Sequence, residues 1–178
     1  VAEELAPLKM DKARVRVSVI DDAERAGVKG WDKVVFEVST NPGAPLGALD
    51  KIASGGELSR FGLALKVVLA GRDQGLVMVF DEVDQGVGGA VADAVGRRLK
   101  RLSQHGQTLV VTHSPQVAAV ADHPWKIEKS DDSEGGVRTT LRLLKGDERR
   151  EEVARMLSGA DITDAARAQA DALMTVEA

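Results

Sequence analysis

The sequence predicts an α/β fold, a largely parallel sheet with flanking helices plus an antiparallel hairpin. Three observations point there. Two short, continuous apolar runs, residues 76–80 and 109–111, have the composition of strands buried on both faces. A helical pattern lies between them, and strand–helix–strand order implies parallel strands joined by a crossover. Upstream, two alternating stretches flank a polar segment containing Gly27 and Gly30, the pattern of an antiparallel hairpin with a long tip.

Taken in order, residues 1–10 read as the end of a helix that stops near Pro7. The chain opens on Val1 rather than Met, so a preceding segment of a longer protein is expected. Residues 13–20 alternate through Val15, Val17 and Val19, and residues 34–40 through Val34, Phe36 and Val38. Residues 41–50 hold two prolines and two glycines and predict a loop. From Glu57 to Ala70, the set Leu58, Phe61, Leu65, Val68 and Leu69 predicts one buried helical face, with Gly71 as the stop. After the first apolar strand, residues 90–103 place Val91, Val95, Leu99 and Leu102 on one side of a helix. The second apolar strand leads to a short helix over 115–121 with Pro115 in its first turn. Strands are expected over 125–129 and 137–144 around a turn at 131–136, and helices over 148–157 and 163–174 close the chain.

Composition limits the function classes. The length fits one domain, or one with a small appendage. Hydrophobic residues make up 43%, enough for a core, and no apolar run approaches the ~18 residues of a membrane span. The absence of cysteine excludes disulfides and thiolate metal sites and fits a reducing compartment. No signal-peptide pattern is present. With 24 basic and 28 acidic residues the net charge is −4, which argues against a purely electrostatic nucleic-acid binder. Three Phe, two Trp and no Tyr leave few platforms for stacking single strands.

Four segments carry candidate chemistry. Ser54-Gly55-Gly56-Glu57 precedes an apolar helical run. Ser-x-x-Glu is a capping box, but that reading leaves two glycines in a first turn unexplained, at a cost in helix propensity. Bare amides at a helix N-terminus form an anion site, which gives the glycines a purpose. Asp81-Glu82 follows the strand over 76–80. Acidic residues often begin loops, yet the carboxyl ends of parallel strands are also where ligands bind. There Asp81 would hold Mg²⁺ as a hard oxygen ligand, and Glu82 would polarise the water that attacks a phosphoryl group. Asp84-Gln85-Gly86-Val87-Gly88-Gly89 is glycine-rich, either a flexible connector or a loop needing close backbone approach. His113, at the end of the second apolar strand, is one strand–helix–strand unit beyond the acidic pair and could contact a γ-phosphate. The three histidines have no metal-ligand spacing. Arg97, Arg98, Lys100 and Arg101 read as a solvated helix face.

In this order and spacing, the segments match the second half of an ATP-binding cassette: signature, Walker B pair, D-loop and switch histidine. The phosphate loop of the first half is missing. It requires Gly-x-x-x-x-Gly-Lys-Ser/Thr, and Gly-Lys occurs nowhere in the chain. The signature through Arg60, residues 80–89, and Val111-Thr112-His113-Ser114-Pro115-Gln116-Val117-Ala118 resemble the RecN family of bacterial DNA repair proteins. Asn41-Pro42-Gly43 and Glu151-Glu152-Val153-Ala154-Arg155-Met156-Leu157-Ser158-Gly159 add to the likeness, which covers nearly the whole chain.

That resemblance implies the C-terminal lobe of an ABC-type (P-loop NTPase) ATPase head, at the end of an antiparallel coiled coil and related to structural-maintenance-of-chromosomes (SMC) proteins and Rad50. Residues 1–12 would be the end of the coiled-coil helix returning into the head, and residues 13–178 the lobe. ATP and Mg²⁺ would be the cofactors, bound between two heads, with Ser54, Gly55, Gly56 and Glu57 facing the ATP of the opposing head. The expected partners are the N-terminal lobe of the same protein, a second head, and DNA through the full-length protein, in the cytoplasm at the nucleoid. Such a head acts in double-strand break repair and is an ATPase only when the missing lobe completes it; this chain alone is expected to be inactive. The resemblance also bears on Asp84, Gly86 and Gly88. Transporter and chromosome-maintenance cassettes usually place an Asp seven residues after the Walker B Asp; here that residue is Gly88. The departure counts against a transporter-type or Rad50-like head. A non-hydrolysing scaffold lobe is the other alternative, and Glu82 argues against it.

Overall fold

A computed structural model describes residues 1–22, 24, 26–28, 30–40, 42–52, 55–69, 75–81, 83–131, 136–159 and 161–175. Two compact units make up the chain, Val1–Val110 and Val111–Ala178.

The first unit opens with a helical turn, α1 (Ala2–Leu5), continued by a 3₁₀ turn, Ala6–Leu8. Pro7 stands in the first positions of that turn, where a missing N–H leaves no bond unmade. Lys9 then leaves the helix in a left-handed conformation, φ 56°. The hairpin follows as β1 (Arg14–Asp21) and β2 (Asp32–Ser39), antiparallel from Arg14 opposite Ser39 to Asp21 opposite Asp32. A Gly27–Gly30 bridge lies in its tip.

Part of the stretch expected to be loop is ordered. β3 (Gly47–Ala48) pairs with Glu37 and Val38 of β2, and a short helix α2 (Leu49–Ile52) follows. Edge pairing uses backbone groups alone, so the prolines at 42 and 45 confine the irregular part without preventing it.

Helix α3 (Gly55–Leu69) starts before Glu57 and takes both glycines into its first turn. Its buried residues are Phe61, Leu63, Ala64 and Val67, whereas Leu58, Val68 and Leu69 of the expected face are exposed. The helix is apolar around most of its circumference, so periodicity alone does not select the stripe that this chain covers. Ala70 and the expected stop at Gly71 lie outside the described residues.

The strand–helix–strand unit is β4 (Val77–Asp81), α4 (Gly89–Ser103) and β5 (Gln107–Val111), with β4 and β5 neighbours in one sheet. Gln107 N donates to Leu76 O at 3.1 Å where both strands begin, so they run the same way. A Cβ at Gly106 would collide with that Leu76 carbonyl, a close approach that only glycine permits. α4 buries Val91, Val95, Leu99 and Leu102 as expected. The expectation that both strands are buried on two faces is not met. Phe80 is buried, but Val77, Val79, Leu109 and Val111 are 48–66% exposed. Their apolar composition specifies a covered surface, and the described residues leave one side of it open.

Leu5 and Leu8 are fully buried, with α1 packed on α3 and the 3₁₀ turn on α4. Glu4 pairs with Arg98 at 3.1 Å and Arg101 at 2.5 Å. The basic run is therefore only partly a solvated face. Arg98 is largely buried, and burial holds its guanidinium pKa below the ordinary value against the attraction of Glu4. Arg97 pairs with Asp93 one turn away.

The second unit contains α5 (Pro115–Ala119), the hairpin β6 (Trp125–Asp131) and β7 (Val137–Leu143), and helices α6 (Asp147–Ser158) and α7 (Asp164–Met174). The hairpin is antiparallel, with Trp125 opposite Leu143 and Asp131 opposite Val137; residues 132–135 of its expected turn lie outside the described residues. Small side chains let the helices approach closely around Ala119, Val153, Ala154, Ala166 and Ala170, with Leu157, Ile162, Leu173 and Met174 packed against them. Thr163 caps α7 by accepting from Ala166 N at 3.1 Å. Among the described residues no helix is long and apolar enough to cross a membrane.

Candidate functional site

Each element of the first unit that carries a motif presents it at an end. β4 terminates at Asp81, whose side chain is exposed. A four-residue turn over 84–87 follows, closed by Val87 N donating to Asp84 O at 3.2 Å. Gly86 occupies its third position with φ 72°, a conformation that side chains resist. Asp84 is fully buried, and Gly88 is the extended residue that caps α4.

The structure brings the signature to this turn. A Cβ placed on Gly56 would lie 3.4 Å from Gln85 O and 3.3 Å from Arg60 Nη1. The first turn of α3 and the loop after Asp81 therefore lie in van der Waals reach of each other. A small residue at 56 leaves room for this contact, which a capping box does not address. Gly55 and Glu57 share the same first turn, where amides lack intrahelical partners. Ser59 Oγ donates back to Gly55 O at 3.0 Å. Ser54 and Glu82 lie outside the described residues.

Arg60 is a contributor that motif spacing alone did not single out. One turn beyond Gly56, its side chain is partly buried, and its Nε is buried with no hydrogen-bond partner among the described residues. A cation there adds to the positive end of α3 beside the loop.

In the second unit, His113 follows β5 and is exposed. The residues on either side are bound: Ser114 N donates to Thr112 Oγ1 at 2.9 Å, and Ser114 Oγ donates to Gln116 Oε1 at 2.9 Å. Among the described residues no cluster of three or more His, Asp or Glu side chains converges as a metal cage. Mg²⁺ bound with a nucleotide does not need one. It takes one or two carboxylates plus phosphate and water oxygens, and an exposed aspartate at a strand end fits that donor set.

A cleft of about 380 Å³ opens beside α6, and most of its charges are paired. Lys126 pairs with Glu128 and Glu152, Arg142 with Glu148, and Arg155 with Glu152.

Comparison with known proteins finds the same fold elsewhere. Solved heads of SMC proteins share this fold. One is the Smc head domain with a coiled coil and joint from Pyrococcus yayanosii (TM-score 0.61, 19% identity, 85% of this chain and 27% of that one). Another comes from work on ATP-driven dimerization and DNA-stimulated activation of SMC ATPases (TM-score 0.56, 19% identity, 89% of both chains). The chain thus shares the α/β fold of these heads.

Curated relatives make the assignment more particular. DNA repair protein RecN of Rickettsia bellii is 48% identical over 171 residues, covering 96% of this chain and 31% of that protein. RecN of Streptomyces coelicolor is 44% identical over 186 residues, and RecN of Vibrio cholerae 39% over 174. No protein-family model matches. The chain is similar to RecN along nearly its whole length and spans about a third of the length of the curated relatives it matches.

Proposed function

We propose that the chain is the C-terminal lobe of a RecN-like ATPase head that hydrolyses ATP with Mg²⁺, dimerises with a second head, and serves DNA double-strand break repair at the bacterial nucleoid. The observation that carries this reading is the abutment of Gly56 on the Gln85 carbonyl, which puts the signature helix beside the loop leaving Asp81. RecN relatives at 39–48% identity support the repair role.

When bound, Mg·ATP supplies the phosphoryl group to be transferred and neutralises part of its charge. Asp81 holds the metal, directly or through water. Glu82 takes the proton of the attacking water. His113 donates to the γ-phosphate. The serine and amides of the 54–57 segment cap the nucleotide of the opposing head, with Asp84, Gly86 and Gly88 shaping the adjoining loop. The phosphate loop comes from the N-terminal lobe, since none is encoded here. The exposed apolar faces of β4, β5 and α3 favour such a partner, because patches of that kind mark covered surfaces.

In the full-length protein, Glu82→Gln keeps the shape and loses the basic oxygen. Nucleotide binding persists while hydrolysis falls by about 10²-fold or more. Asp81→Asn weakens Mg²⁺-dependent binding instead. Measuring ATP affinity and turnover on both variants tests the division of roles; an equal loss of binding in both would contradict it.

A further inference from the structure

Four consecutive charged residues in the first turns of α6 reach different neighbours. Arg149 Nη2 donates to the Ala119 carbonyl at the end of α5, at 2.6 Å. Arg150 and Glu151 pair with Asp171 and Arg167 of α7, and Glu152 with Lys126 of β6. The Arg150 and Glu151 bonds join two helices that also share a hydrophobic core. The Arg149 bond is set apart by its target: α5 has only five residues, packs on α6 and α7 through Ala119, and begins two residues after His113.

A helix that short does not hold itself together, so its place is set by packing, with Ala119 in the core shared with α6 and α7, and by what grips its ends. At the start, Ser114 is buried and bonded to Thr112 and Gln116, and its carbonyl accepts from Ala118 N at 3.0 Å. At the far end, Val120 N and Ala121 N turn back to the Val117 and Ala118 carbonyls. The Ala119 carbonyl is left over, on a residue 1% exposed, and Arg149 satisfies it. Arg149 Nε is itself buried with no hydrogen-bond partner among the described residues. Leaving that Nε buried without a partner is unfavourable, while the Nη2 of the same group holds the end of this helix.

We propose that Arg149 is a positioning residue for His113: it locks the C-terminal end of α5, and α5 in turn fixes the backbone that carries the histidine. Resting on the role assigned to His113 above, this gives a purpose to the charged start of α6, which the ATPase reading leaves unused.

The test is a double-mutant cycle in a full-length RecN-like chain carrying this sequence, with ATP turnover, nucleotide KM and folded fraction measured together. Arg149→Met lowers kcat about tenfold, the cost of misplacing a group near the chemistry. The KM for ATP stays within about twofold, because nucleotide is held elsewhere. Arg149→Lys, which keeps the charge and one donor, restores most of the turnover. In a His113→Ala background Arg149→Met has no further effect, because both changes remove the same contribution. If the Met variant does not fold, Arg149→Gln takes its place with a smaller, equally coupled loss. Losses that multiply, or a loss that tracks the unfolded fraction, overturn the proposal. A silent His113→Ala is a different failure: it overturns the assigned role of His113, and the proposal falls with it.

Discussion

Position 54 precedes the first described residue of α3 and is where two accounts of the same residue part. As the Ser of Ser-x-x-Glu it caps a helix, and Ser54→Ala then costs about 0.5–2 kcal/mol of stability with no specific effect on assembly. As a donor to nucleotide on an opposing head, it leaves folding untouched when altered and disables dimerisation. Ser54→Arg places a bulky group at that shared site, so ATP-induced dimerisation of the full-length protein fails at an unchanged melting temperature. Melting temperature and dimerisation measured together on both variants separate the accounts; a dimerisation loss that merely follows destabilisation would favour capping. The neighbouring glycines were legible in part. Their presence in a first turn argued for close approach, and the Gly56–Gln85 contact supplies one. Arg60 and Arg149 were not legible as contributors, because what distinguishes them is a buried nitrogen without a partner, a property of three-dimensional packing.

Elements with a strong local pattern stand close to where the sequence put them. β1 and β2 follow the Val15–Val17–Val19 and Val34–Phe36–Val38 alternations, and α4 buries its four expected apolar residues. β3 was missed because its pairing uses the backbone of Gly47 and Ala48. The face of α3 was misassigned because nearly every side of that helix is apolar. The α6–α7 pair depends on charges that titrate. Hydrogen bonds from Arg150 hold the Asp171 carboxyl below the ordinary aspartate range, and those from Arg167 do the same for Glu151. A depressed native pKa means that the folded state binds fewer protons than the unfolded chain. The contribution is therefore complete above the ordinary carboxylate range, about pH 4, and disappears as pH falls through the lowered native value. Asp171→Asn should lower the melting temperature at pH 7, and the gap from the parent chain should be smaller at pH 3. A gap of equal size at both values would contradict this account of the pair.

At the scale of the whole molecule, exposed apolar strands and missing phosphate chemistry point the same way. Val77, Val79, Leu109 and Val111 leave one face of the β4–β5 sheet half open, and no Gly-Lys dipeptide exists to start a phosphate loop. Composition made those runs look buried on both sides. Among the described residues they are exposed, because burial depends on every element that packs against a strand and not on the strand's own composition. The central claim is that the chain is half of a nucleotide site. Calorimetric titration of Mg·ATP into the isolated chain, and into the same chain co-expressed with the remainder of a full-length RecN-like protein, tests it most directly. The account predicts no saturable binding by the chain alone and about one nucleotide per head in the completed protein, where the phosphate loop cradles the α- and β-phosphates. Tight, stoichiometric ATP binding by the isolated chain would contradict it.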